Sequence, residues 1–191
     1  MSIQQQTRRA ALALAGLAAF AAPAWAADRV LLVTSMGNIE IELDAQKAPK
    51  SVANFEQYVK EGHYDGTVFH RVIPNFMIQG GGMLPDLREK PTHKPIPLEA
   101  HNGLKNTVGT VAMARTSDPN SATAQFFINV KDNAFLDAQN SPDGNGYAVF
   151  GHVVSGMDVV KKIEAVATTT KGPYENVPST PVTIKKASLE K

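Results

Sequence analysis

The chain has 191 residues, with 19 lysines and arginines against 18 aspartates and glutamates, and it contains no cysteine. This balanced charge does not favour nucleic acid or an anionic membrane surface as a partner, and the lack of cysteine excludes a fold held by disulfides. The length and an apolar content of 43% suit one domain with a full hydrophobic core.

The first 26 residues have the pattern of a secretory signal peptide. Arg8 and Arg9 form a positively charged start, residues 10–22 are apolar, and Ala24-Trp25-Ala26 is typical of a cleavage site. A retained membrane anchor is the alternative, but an apolar run of about 13 residues falls short of the roughly 20 that a spanning helix needs. The sequence therefore predicts a cleaved leader over residues 1–26 and a periplasmic domain over residues 27–191. The general secretory route is expected, with twin-arginine export as the alternative.

Short strands dominate the remaining chain. Residues 30–34 and 39–43 predict a hairpin, and further strand patterns occupy residues 68–73, 107–114, 125–130, 147–154 and 181–189. Residues 49–61 and about 157–165 have helical spacing, and Ser155 is expected to cap the second helix. Because strands and helices do not alternate regularly, the pattern predicts an antiparallel β-barrel or sandwich with two covering helices.

The segment Phe69–Gly82, reading FHRVIPNFMIQGGG, carries the strongest chemical signal. Arg71 lies in an apolar run that ends at Gln79, and a buried arginine is costly unless it is paired or functional. Together with Phe127 from a later strand, these residues suggest an apolar pocket with a few polar groups. The alternative is that Arg71 is a surface residue of a strand. Strand alternation places His70 on the face opposite Phe69 and Arg71, where a hydrogen-bonded structural role is expected.

Common catalytic signatures are missing from the sequence. It contains no Gly-x-Ser-x-Gly elbow, no phosphate-binding loop and no His-Glu-x-x-His motif. The five histidines have no ligand-like spacing, so no metal site is expected.

The motif from Phe69 to Gly81, F-H-R-V-I-P-x-F-M-x-Q-G-G, resembles the signature of the cyclophilin family of peptidyl-prolyl cis–trans isomerases. Gln125-Phe126-Phe127-Ile128 and Val149-Phe150-Gly151 match later blocks of the family in the right order. The leader is most similar to those of bacterial periplasmic members. The resemblance implies a mainly β fold, a closed eight-stranded antiparallel β-barrel capped by two α-helices.

The resemblance also implies a site and a reaction. Isomerisation of X-Pro bonds would be catalysed by Arg71, Phe76 and Gln79, without nucleophile, metal or cofactor. Proline-containing polypeptides, including unfolded exported proteins, would be the partners of a monomeric enzyme. The implied substrate-binding residues are Met77, Ala114, Arg115, Gln125, Phe127, Phe135, Leu136 and Tyr147.

Two positions depart from the family pattern. Phe135 lies where cyclosporin-sensitive members have tryptophan, and phenylalanine cannot donate the indole hydrogen bond, so weak cyclosporin binding is expected. Arg115-Thr116 replaces the Asn-Ala pair that often follows Ala114 in eukaryotic members. The alternatives to an isomerase are a proline-directed binding module or holdase without significant turnover, and carbohydrate or lipid recognition on a β-barrel.

Overall fold

A computed structural model describes residues 29–190 and shows a mainly β fold with two α-helices. The predicted signal peptide, residues 1–26, lies outside the described residues. Within residues 29–190, no helix is long and apolar enough to cross a membrane. The strands are β1 (Arg29–Thr34), β2 (Gly37–Leu43), β3 (Val68–Ile73), β4 (Met77–Met83), β5 (Thr110–Met113), β6 (Phe126–Asn129), β7 (Val149–Ser155), β8 (Thr168–Lys171), β9 (Tyr174–Pro178) and β10 (Ile184–Glu190), and the α-helices are α1 (Pro49–Lys60) and α2 (Met157–Glu164).

The two helices follow from their apolar spacing. In α1, Val52, Phe55 and Val59 recur at helical intervals and are buried, and Pro49 lies in the first turn, as predicted. The predicted Ser155 cap of α2 is wrong, because Ser155 ends β7 and Gly156 is the N-cap residue. Gly156 has a φ of +89°, a conformation that residues with a side chain rarely adopt.

Eight strands form one antiparallel sheet in the order β10-β1-β2-β7-β5-β6-β4-β3. The expectation of a closed barrel is not confirmed, since the sheet is an open, curled half-barrel whose edges are β3 and β10. These edges meet through an isolated bridge between Val68 and Thr183 and through a few backbone hydrogen bonds. The Phe69 amide donates to the Val182 carbonyl (2.9 Å), and Ile184 exchanges bonds with the Thr67 carbonyl and the Gly66 amide (2.8 Å each). Pro181 precedes this contact and has no N–H to donate, so a continuous ladder cannot extend there.

The two faces of the sheet carry two different apolar clusters. The main core includes Phe69, Phe126 and Ile128 together with buried residues of α1 and α2. A smaller cluster on the opposite face includes Met77 and Phe127. Because side chains alternate along a strand, neighbouring residues of β4 and β6 supply both clusters. The smaller cluster forms the candidate site.

A β-bulge at His70 changes the predicted direction of two side chains. Phe69 pairs with Gly80 and Arg71 pairs with Gln79, so β3 advances by two residues where β4 advances by one. His70 is the extra residue. The prediction that Phe69 and Arg71 share a face is therefore wrong: Phe69 enters the main core, and Arg71 lies on the face of the smaller cluster. The bulge is what brings Arg71 to the site.

The hairpin formed by β8 and β9 is absent from the sequence prediction. It is a separate two-stranded sheet, and β9 packs beside β3. Its strands are short and β8 is largely polar, which weakens the alternation that identifies a strand. Its position next to β3 makes it a wall of the surface around Arg71.

Candidate active site

A cavity of about 160 Å³ opens on the face of the sheet that carries the smaller cluster. It lies between Arg71 of β3 and the loops after β5 and β6. It is open to solvent on one side and combines apolar walls with polar groups at its rim, which is the usual form of a small-molecule or peptide site. Nine of the eleven predicted site residues line this proline-sized cavity. These are Arg71, Phe76, Met77, Gln79, Ala114, Arg115, Phe127, Leu136 and Tyr147.

The floor and walls of the cavity are apolar. Met77 and Phe127 are 2% and 4% exposed, and they project from β4 and β6 on the same face of the sheet. Leu136 reaches the cavity from a short 3-10 helix over residues 134–136. The ring of Tyr147 meets that of Phe127 edge to face, with centroids 5.6 Å apart. These contacts give the cavity an apolar, preformed floor that suits a small apolar ring.

The polar rim is a chain of three side chains. Arg71 Nη1 donates to Gln79 Oε1 (3.4 Å), and Gln79 Nε2 donates to Gln125 Oε1 (2.9 Å). These two hydrogen bonds fix the orientation of the Gln79 amide between Arg71 and Gln125. Arg71 itself is exposed, so the sequence argument from a buried arginine is wrong. Among the described residues its guanidinium has no other hydrogen-bond partner, so N–H donors remain available at the mouth of an apolar cavity.

Gly82 explains how Gln125 reaches this position. A Cβ atom at Gly82 would lie 2.7 Å from Gln125 Nε2, closer than real side chains approach. Gln125 does not line the cavity itself; it lines two adjacent surface grooves and contacts the cavity through Gln79. The glycine run after Gln79 thus provides the space that the polar rim needs.

Arg115 is built into the opposite wall. Its side chain is 4% exposed, it donates through Nε to the Gly146 carbonyl (2.8 Å), and its guanidinium carbon lies 4.7 Å from the centroid of the Tyr147 ring. It also pairs with Asp143, whose pKa is held far below its usual value, first by the Ser141 hydroxyl and then by backbone N–H groups and Arg115. Arg115 therefore supports the loop that carries Tyr147.

Phe135 lies at the rim rather than in the cavity. Its ring stacks on that of Phe76, with centroids 5.6 Å apart and an angle of 29°, and it is 54% exposed. A side chain so placed extends the apolar surface beyond the cavity. It can contact a ligand larger than a single proline ring.

Sequence reasoning missed a buried polar network behind the cavity wall. Asn133, 2% exposed, donates through Nδ2 to the Phe76 carbonyl (2.8 Å) and to Asn129 Oδ1 (2.7 Å). Asn106 continues the network to Asp137, which follows the 3-10 helix that carries Leu136. Asn129-x-x-x-Asn133 around a predicted strand end is a signal that could have identified it, because buried amides need partners. The network connects the segments that carry Phe76 and Leu136.

His70 has the buried position expected of a structural histidine, but its hydrogen bonding is incomplete. The residue is 6% exposed, and its Nδ1 atom has no hydrogen-bond partner among residues 29–190. Burial lowers its pKa from 6.5 to about 4, so the ring is neutral at physiological pH. Within the same residues, no group of three or more histidine, aspartate or glutamate side chains is arranged to hold a metal ion.

Comparison with known proteins identifies the family. The family described as cyclophilin type peptidyl-prolyl cis-trans isomerase/CLD matches residues 29–189. The chain is 56% identical to peptidyl-prolyl cis-trans isomerase A of Dickeya dadantii, over 95% of this chain and 96% of the relative. It is 58% identical to a peptidyl-prolyl cis-trans isomerase of Acinetobacter baylyi, over 96% of both chains. It is 54% identical to peptidyl-prolyl cis-trans isomerase B of Escherichia coli, over 82% of this chain and 96% of the relative.

Solved structures agree with this assignment. A Cryptosporidium parvum cyclophilin type peptidyl-prolyl cis-trans isomerase, crystallised in the presence of the dipeptide Ala-Pro, superposes with a TM-score of 0.73 at 26% identity. The superposition covers 85% of this chain and 99% of that chain. A family match over almost all described residues, relatives above 50% identity and a shared fold all agree. The chain belongs to the cyclophilin type family of peptidyl-prolyl cis-trans isomerases, and it is an enzyme of that family.

Proposed function

We propose that the protein accelerates rotation about X-Pro bonds without covalent chemistry, by a hydrogen bond from Arg71 to the proline nitrogen. The observation that supports this most directly is the position of the Arg71 guanidinium at the mouth of an apolar cavity of about 160 Å³. The Ala-Pro dipeptide used with the Cryptosporidium parvum relative is consistent with a proline ligand. Proline-containing polypeptides are therefore the proposed substrates.

The reaction requires stabilisation of one twisted state. The peptide C–N bond resists rotation by about 18–20 kcal/mol because the nitrogen lone pair is shared with the carbonyl group. In X-Pro bonds both isomers are populated, and their exchange is slow. In the twisted state conjugation is lost, the proline nitrogen becomes pyramidal, and its lone pair can accept a hydrogen bond. A donor that binds this lone pair lowers the barrier.

Arg71 has the properties of such a donor. A guanidinium stays charged at any working pH and offers several N–H groups in a rigid plane. It interacts strongly with the nitrogen only after the bond has twisted, so the interaction favours the transition state over both ground states. A thousandfold acceleration requires about 4 kcal/mol. One charge-assisted bond next to an apolar surface, together with orientation of the substrate, can supply a free energy of this size.

The other cavity residues hold the two ends of the rotating bond. Met77, Phe127 and Leu136 would hold the proline ring, because a small apolar ring gains by leaving water. Gln79, oriented by Gln125, would bind the substrate backbone. When the proline ring and the substrate backbone that precedes it are both held, rotation is confined to the X-Pro bond that joins them.

A binding module or holdase for proline segments is the second candidate, since the same cavity could grip X-Pro without turnover. Exchange spectroscopy on a short Ala-Pro-containing peptide, with the protein at one-fiftieth of the peptide concentration, separates the two. Exchange cross-peaks between cis and trans signals are expected. Binding shifts without exchange would support the binding module and contradict the proposed function.

We also propose that the enzyme acts in the periplasm on newly exported proteins, supported by the leader pattern of residues 1–26. Expression of the full chain with a C-terminal tag, followed by cell fractionation and N-terminal sequencing, tests this. A periplasmic product that begins at Ala27 is expected. An uncleaved product in the cytoplasm would contradict the proposal.

A further inference from the structure

A second and larger depression lies on the other side of Arg71. We call it the acidic groove; its volume is about 430 Å³, and Met83, Glu89, Tyr174 and Glu175 line it. Arg71 and Gln79 line both this groove and the proline cavity. The two depressions are therefore adjacent and lie on either side of these two side chains.

The carboxylates of the groove are exposed and unpaired. Within residues 29–190, Glu89 and Glu175 form no ion pair and no side-chain hydrogen bond. The basic neighbours of Glu89 are engaged elsewhere: Arg88 pairs with Asp86 (2.6 Å), and Lys90 donates to backbone carbonyls, including that of His63. The charge of Glu89 is thus available to a ligand.

The other charges of the groove do not cancel these two. Among the described residues that line the groove, Arg71 is the single cation, and the proposed reaction directs that group to the proline nitrogen. His70 also lines the groove, but it is neutral because burial lowers its pKa to about 4. At physiological pH two carboxylates face one guanidinium, so the groove is negative overall.

The remaining walls suit a long side chain. Met83 and the half-buried Tyr174 line the groove together with the two glutamates, so part of its wall is apolar side-chain surface. Lysine and arginine bury their methylene stems against apolar surface and keep the charged group in water, and a tyrosine ring adds attraction for the cation. His70 also lines the groove, and its buried Nδ1 atom has no partner among the described residues.

We propose that the acidic groove binds a lysine or arginine of the same polypeptide whose proline occupies the cavity, and so selects substrates with a basic residue near the proline. This inference rests on the proposed function. A cavity of this volume is on the order of 7 Å across, and an extended residue advances at most about 3.3–3.6 Å, so the basic residue lies about two or three residues from the proline.

Matched peptides test the groove. Each pair carries lysine or norleucine at one position, from one to three residues before or after the proline, in an alanine background. For wild type, kcat/KM at the preferred position should favour lysine roughly threefold, as expected for exposed ion pairs, and the preference should vanish in 1 M salt. In the double variant Glu89→Gln/Glu175→Gln the preference should disappear while turnover of norleucine peptides stays within about 1.5-fold.

The double variant Glu40→Gln/Asp158→Asn is the matched control, because it removes two negative charges from surface ion pairs outside the groove. It should keep the lysine preference. No preference in wild type, a preference that survives in the groove variant, or one that the control also loses would each overturn the inference. If norleucine peptides are not turned over at all, the proposed function fails; fluorescence anisotropy with the same labelled peptides then decides whether the groove favours lysine.

Discussion

Replacement of Arg71 by alanine should separate turnover from folding. Arg71 is exposed, and its side-chain hydrogen bond, to Gln79, is long at 3.4 Å. Removal of this bond should therefore change the free energy of unfolding by no more than about 0.5 kcal/mol. The cavity floor, formed by Met77 and Phe127, does not depend on it.

The effect on catalysis should be much larger. A hydrogen bond from a charged group contributes about 1.5–3 kcal/mol, and each 1.36 kcal/mol changes a rate tenfold. If Arg71 makes this bond only in the twisted state, Arg71→Ala should lower kcat/KM roughly 10- to 150-fold. Arg71→Lys should remain at least about fivefold below wild type, because an ammonium group keeps the charge but loses the planar set of donors.

The assay is turnover of a proline tetrapeptide, with a thermal melt by circular dichroism for each variant. Arg29→Ala is a matched control, since Arg29 is another exposed arginine with side-chain contacts, on β1 away from the cavity. Its turnover should equal that of wild type. Full activity of Arg71→Ala, with an unchanged melt, would refute the catalytic role; a large drop in its melting temperature would refute the claim that Arg71 is dispensable for folding.

Three further predictions concern the surroundings of the site. Phe135→Trp should raise cyclosporin affinity roughly 2- to 10-fold by adding an indole donor at the rim; equal calorimetric affinities for the two proteins would contradict this. Asn133→Ala should lower the free energy of unfolding by about 1–3 kcal/mol, because the Phe76 carbonyl and Asn129 lose their partner, and urea titration that shows no change would contradict it. The pKa of His70 is about 4 in the folded state and near 6.5 in the unfolded chain, so the unfolded chain takes up the proton first as the pH falls. The contribution of His70 to the free energy of unfolding is therefore full above pH 6.5 and is lost as the pH approaches 4. This loss should reach about 3 kcal/mol, and it should be smaller in His70→Asn. Free energies of unfolding from urea titration at several pH values test this; the same pH dependence in both proteins would show that His70 does not cause the loss.

The cavity residues were predictable because they lie in short, recognisable segments. Met77 and Gln79 alternate with Ile78 along β4, and Phe127 follows the same rule on β6, so a period of two places them on one face. The ladder between β4 and β6 then brings Gln79 opposite Phe127, a contact between residues 48 positions apart that no local pattern contains.

Arg71 shows the limit of local reasoning. Strict alternation places Arg71 on the same face as Phe69, toward the main core. The bulge at His70 turns Arg71 to the opposite face. A bulge depends on how two strands fit together, because it accommodates a mismatch in register rather than a preference of one residue. The β8–β9 hairpin was missed for a related reason, since its position is determined by packing beside β3.

The sequence by itself determined the elements that depend on local physical chemistry: the first hairpin, the helix that begins at Pro49, the apolar period of the strands, and the residues of the family motif. Tertiary structure alone decided that the sheet stays open between β3 and β10, that Arg71 leaves the core face, and that two carboxylates without partners among the described residues line the groove beside it. The reason is physical. Periodicity reports which face of an element is buried, whereas bulges, edges and grooves arise from contacts between segments distant along the chain.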